Sequence, residues 1–84
     1  MSQYKLTSAL LIKNVNQLLG EFTKRIQKDG SICIDLTDVT NIDSAGVAFL
    51  VELKALARLR NCQISFINIP TPVANFANLY QLNL

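Results

Sequence analysis

Between Ile34 and Leu50 the chain reads Ile-Asp-Leu-Thr-Asp-Val-Thr-Asn-Ile-Asp-Ser-Ala-Gly-Val-Ala-Phe-Leu. Its hydrophobic period changes twice within that run. Ile32, Cys33, Ile34 and Leu36 are apolar almost without a break, as suits a strand covered on both faces. Thr37 to Asn41 is a polar, acidic connection, with Val39 and Ile42 expected to tuck beneath it. From Ser44 onward apolar residues recur at helical spacing. A buried-type strand turning so tightly into a helix points to a sheet layered with helices. Either Asp43 or Ser44 suits the N-cap. In both cases Ser44 stands where backbone N–H groups lack intrahelical partners and the helix dipole is positive. A phosphate on Ser44 is favoured there by the same electrostatics.

The remaining segments alternate in the same way. Tyr4 to Ile12 reads as extended, either one strand or two halves around a tight bend. A first helix follows, with Asn14 as N-cap and Gln17 completing a capping box. Val15, Leu18, Leu19, Phe22 and Ile26 form its apolar stripe. Glu21 and Arg25 pair on its wet side. Asp29-Gly30 ends it, with Gly30 free to take positive φ. The second helix spans Ser44 to Leu59. Asn61 to Ile67 is a strand in which Cys62, Ile64 and Phe66 alternate with polar residues. Thr71 is expected to cap a last helix with Pro72 at its first position, and Val73, Phe76, Ala77 and Tyr80 give it an amphipathic stripe. The order strand, helix, strand, helix, strand, helix predicts an α/β domain over residues 1–84, joined by right-handed crossovers.

A chain of 84 residues forms one domain at most and buries about 60% of its unfolded surface. Half of it is hydrophobic and only 17% is charged, which excludes a disordered chain and suggests apolar surface left for a partner. Net charge is +2, with scattered basic residues, so nucleic acid is not expected as a partner. Lys24, Arg25 and Lys28 are the densest basic group and sit late in the first helix, where cations suit the dipole. Histidine is absent, which removes Cys–His metal sites and His-based triads. Cys33 and Cys62 read as small buried apolar residues. No apolar run reaches the roughly 18 residues needed to cross a bilayer. Met1 to Thr7 does not resemble a signal peptide, so a cytoplasmic location is expected.

Candidate functional residues gather around the second helix. Gly46 in its first turn costs up to about 1 kcal/mol relative to alanine. Close approach by a partner's backbone or a kinase active site explains it, and so does tight packing against the preceding loop. Asp35, Asp38 and Asp43 cluster about one turn, where loop N–H groups are commoner partners than Mg²⁺; no metal and no cofactor is expected. Ser44 has no catalytic base nearby in sequence, and Gly20, Gly30 and Gly46 form no phosphate loop, so enzyme activity is not expected. Phe49, Leu50, Leu53, Leu56 and Ala57 share the arc assigned to the sheet. The opposite arc carries Val47, Ala48, Val51 and Ala55 beside Glu52, Lys54 and Arg58, an apolar excess for an outer face. Either a terminal element folds over that arc or it is an interface centred on Asp43, Ser44, Ala45, Val47, Ala48 and Val51.

The core Asp35-Leu36, Val39, Ile42-Asp43-Ser44-Ala45-Gly46 and Leu50 resembles the signature of the STAS family, the anti-sigma-factor-antagonist type of domain. Ile64-Ser-Phe-Ile67, followed by a proline-bearing turn and a short helix, is consistent with it. The resemblance implies a mixed β-sheet with helices packed mainly on one face, and a domain that binds other proteins without catalysing a reaction. In anti-sigma antagonists the residue matching Ser44 is phosphorylated by a partner kinase. In the small STAS subunits of Mla-type phospholipid ABC transporters the domain instead docks on the cytoplasmic ATPase, with that residue at the contact. The short, apolar form of this chain is more like the transporter subunits, which implies an ABC ATPase as partner, no direct membrane insertion, and a location peripheral to the inner membrane. An anti-sigma kinase is the partner implied by the alternative.

Overall fold

Three parallel strands and three helices alternate along the chain in the computed structural model, which describes residues 2–82. They are β1 (Ser2–Lys5), α1 (Ile12–Arg25), β2 (Ser31–Asp35), α2 (Ser44–Leu59), β3 (Gln63–Ile67) and α3 (Thr71–Leu79). The strand order is β1-β2-β3. Ile32 and Ile34 lie beside Ile64 and Phe66 on one flank and Ser2 and Tyr4 on the other. Side chains alternate between faces, so this register puts one apolar row under the helices and turns Gln3, Cys33 and Ser65 to the opposite face. The strand order advances in one direction, so crossovers of one hand carry α1 and α2 to the same face, where they pack together.

The resemblance implied a mixed sheet, whereas both strand pairings here are parallel. Each neighbouring pair is joined through a helix, which returns the chain to the same end of the sheet. The core joins Leu18 and Phe22 of α1 with Ile26 just past its end, Leu50, Leu53 and Ala57 of α2, the β2 and β3 row, and Val73 of α3. Phe22 stands edge-on between Tyr4 and Phe49, with ring centroids 6.2 and 6.4 Å away. Both cysteines are free and buried.

Of the two alternatives for the extended segment the broken one is seen: β1 ends at Lys5, and among the described residues the second half makes one isolated bridge, Leu10 to Ile42. Several local expectations are corrected. α1 starts at Ile12 without a local side-chain cap, and Asn14 instead donates to the Ala9 carbonyl. It also ends early, at Arg25, because Arg60 reaches across to donate to the carbonyls of Thr23 and Ile26 at 2.6 and 2.8 Å. Asp29, not Gly30, takes positive φ (59°), held by Asn61 Nδ2 donating to its carboxylate. Pro70 holds the N-cap position of α3, which places Pro72 second in the helix.

Candidate docking site at the starts of α1 and α2

One carboxylate organises the end of the molecule where α1 and α2 begin. Asp43 is the N-cap of α2, and its Oδ1 accepts from the Gly46 N–H at 3.0 Å. Its Oδ2 accepts from the N–H of Ile12, also at 3.0 Å. A single side chain therefore satisfies orphan donors of both helices. The Ile12 and Gly46 bonds hold the Asp43 carboxyl below the ordinary aspartate range. The backbone adds to this clamp: Asp43 N–H donates to the Leu10 carbonyl and Leu10 N–H to the Asn41 carbonyl. Gly46 is buried against the same Leu10, where a Cβ would overlap the carbonyl oxygen and come within 2.8 Å of Ile42 Cγ1 and Leu10 Cβ. Of the two explanations for Gly46, packing against adjoining loops is the one seen.

Between the clamped helices lies an open groove of about 390 Å³. On α1 it is lined by Ile12, Val15, Asn16 and Leu19, and on α2 by Ala45, Ala48, Phe49 and Glu52. Each set has the spacing i, i+3, i+4, i+7, so two helical stripes face one another across the opening. Alanines on the α2 wall keep it wide, and Phe49, 4% exposed, roots that wall in the core. Ile12 is 72% exposed at the mouth.

The six residues expected to form an interface divide into four groups. Ala45 and Ala48 line the groove. Ser44 and Val51 are exposed on the neighbouring flank of α2, and Val51 is 47% accessible. Asp43 is half-buried, with its oxygens occupied as the double cap. Val47 is a correction: it is 4% exposed and does not belong to the outer surface. Three residues before Leu50, it lies only about 60° from it around the helix, which is the flank of the buried arc. Ile12, Val15 and Leu19 are not among the site residues expected from sequence: Val15 and Leu19 figure there only in the apolar stripe of the first helix, and Ile12 as the end of the extended segment. The width of the stripe was the available signal, since only Leu18, Phe22 and Ile26 of it are fully buried.

The three aspartates point to separate tasks. Asp35 accepts from the Thr37 hydroxyl and N–H, which lowers its carboxyl pKa. Asp38 pairs with Lys5 at 3.5 Å. Among the described residues no three acidic or cysteine side chains gather as a metal site, and no helix is long and apolar enough to cross a membrane.

A family model described as "Mlab, STAS domain" matches residues 2–84. No curated protein matches the sequence. Among solved structures the fold is similar to a portion of the murine Solute Carrier 26 family member A9 (Slc26a9) anion transporter in its inward-facing state, with TM-score 0.82 and 20% identity. That likeness covers 92% of this chain and 13% of the transporter, and at this identity it speaks to fold alone. Matched over nearly its whole length, the chain belongs to the STAS domains of the Mlab family, which are generally non-catalytic binding domains.

Proposed function

We propose that this chain is a non-enzymatic, cytoplasmic accessory subunit of an Mla-type phospholipid-trafficking ABC transporter, and that it docks on the transporter's ATPase through the α1–α2 groove. The observation that carries this reading is the groove itself: paired apolar stripes, built rigidly by Asp43 and left open to solvent. A helix or loop of the ATPase laid along it covers Ile12, Val15, Leu19, Ala45 and Ala48 and brings Ser44 within hydrogen-bonding reach at the contact's edge. With the flank bearing Val51, the surface offers room for a standard interface of about 800 Å² per partner. Regulation then needs only that the subunit bind one conformation of the ATPase better than another.

The test is native co-purification of the tagged chain, with the proteins it retains identified by mass spectrometry; an ABC ATPase is the one expected. Wild-type protein is expected to retain the ATPase, and Ala48→Arg, which fills the groove from an exposed position, is expected to lose it. Retention by both proteins, or recovery of a sigma-pathway kinase instead, overturns the proposal.

A further inference from the structure

The opposite end of the helical layer carries a second surface. α1 and α2 run in the same direction, so their C-termini share one end, where Leu59 lies about 10 Å along α2 beyond Glu52, the last residue of the groove. There Lys24, Lys28 and Arg60 line a shallow recess of about 590 Å³ with Ile26 in its lining. Leu59 completes it and is 84% exposed, the most accessible of the large exposed hydrophobic residues described.

Part of this charge serves the fold. Arg60 closes the end of α1 through the Thr23 and Ile26 carbonyls, and cations suit helix C-termini in general. That duty does not account for Leu59, or for Lys24 and Lys28, which are exposed and have no carboxylate partner among the described residues. The recess lining holds no acidic residue. Asp29, the neighbouring carboxylate, is held by Asn61.

We propose that this end is a peripheral contact for an anionic bilayer, with Leu59 entering the headgroup boundary and Lys24, Lys28 and Arg60 facing lipid phosphates. Apolar insertion and a basic patch are the two signals that together hold a soluble surface to a membrane. A protein partner is less well served, because the recess is shallow and wide open and gives a folded surface little shape to match. A bilayer needs no shape match. The surface lies at the far end from the groove, so it stands or falls independently of ATPase docking.

Co-sedimentation with vesicles tests it, using phosphatidylcholine alone or with about a third phosphatidylglycerol. Wild-type chain is expected on the anionic vesicles only, with binding weakened by added salt. Lys24→Gln combined with Lys28→Gln is expected to lower the partition coefficient roughly thirtyfold, at about fivefold per charge. Leu59→Ser is expected to lower it roughly tenfold. All three positions are exposed, and unchanged circular dichroism would establish that the variants fold. Lys13→Gln, at the other end of α1, is expected to change it less than about twofold. The proposal is overturned if no vesicle binding occurs, if both lipid mixtures bind alike, or if Lys13→Gln weakens binding as much as either lysine at the recess. Direct binding of soluble poly-glutamate, lost in Lys24→Gln with Lys28→Gln and seen without any vesicle binding, assigns the patch to an acidic protein segment and overturns it as well.

Discussion

Replacing Gly46 with alanine should destabilise the protein, although the same change in an open helix stabilises by roughly 1 kcal/mol. A Cβ at this position overlaps the Leu10 carbonyl oxygen and crowds Ile42 Cγ1 and Leu10 Cβ at 2.8 Å. Overpacking of this kind costs about 1–3 kcal/mol. Leu10 cannot retreat freely, because it is fully buried, its carbonyl accepts from Asp43 N–H at 3.1 Å, and its N–H donates to Asn41 at 2.9 Å. Losing one of those bonds adds about 1 kcal/mol. Subtracting the propensity gain leaves a net loss of about 2 kcal/mol, or a Tm lowered by roughly 8–16 °C for a domain of this size. Gly20 is the internal control: it is exposed within α1, and a Cβ there meets nothing within 4 Å. Gly20→Ala should therefore raise stability by up to about 1 kcal/mol. Urea unfolding and thermal melts followed by circular dichroism measure both variants. If Gly46→Ala is as stable as Gly20→Ala, the claim that Gly46 exists to let α2 approach the Leu10 loop is wrong.

Val47→Asp places a carboxylate at a position 4% exposed and should cost about 3 kcal/mol or more, whereas Ala48→Asp on the open groove should stay within about 0.5 kcal/mol; urea midpoints separate the two. Asp43 and Asp35 both ionise below their ordinary value of 3.8, so the stability they contribute is complete above that pH and lost as pH falls through their lowered folded values. Unfolding measured from about pH 6 to pH 2 should show this acid limb, and Asp43→Asn should flatten it. Ser44→Asp sets a negative charge beside the Asp43 cap at the edge of the groove and should weaken ATPase binding while Ser44→Ala does not, as read by titration calorimetry of the purified pair; equal affinities would remove Ser44 from the contact.

The centre of the fold was legible because its signals are local. β2 announces itself by an unbroken apolar run, and α2 by a change of period at Ser44, and α2 keeps the bounds expected, Ser44 to Leu59. What could not be read depended on distant partners. α1 starts two residues before its apparent cap because the N–H of Ile12 is satisfied by Asp43, 31 residues away. It ends before Gly30 because Arg60 closes its last carbonyls from beyond α2. Half of the candidate site was legible for the same reason. Ala45 and Ala48 were visible as an apolar excess on one helix face. The facing wall of Ile12, Val15 and Leu19 becomes a wall only once α1 and α2 lie side by side, which no single-helix pattern encodes. Val47 was misplaced because a residue about 60° from the centre of the buried arc sits where a modest shift of the helix decides between core and surface.

The most direct test of groove docking is hydrogen exchange on the purified chain with and without its ATPase, read by mass spectrometry at peptide resolution. Docking in the groove predicts added protection in peptides covering residues 12–19 and 45–52, with exchange in β3 and α3 unchanged. Protection confined to β3 or α3, with both groove walls exchanging as in the free chain, would contradict it.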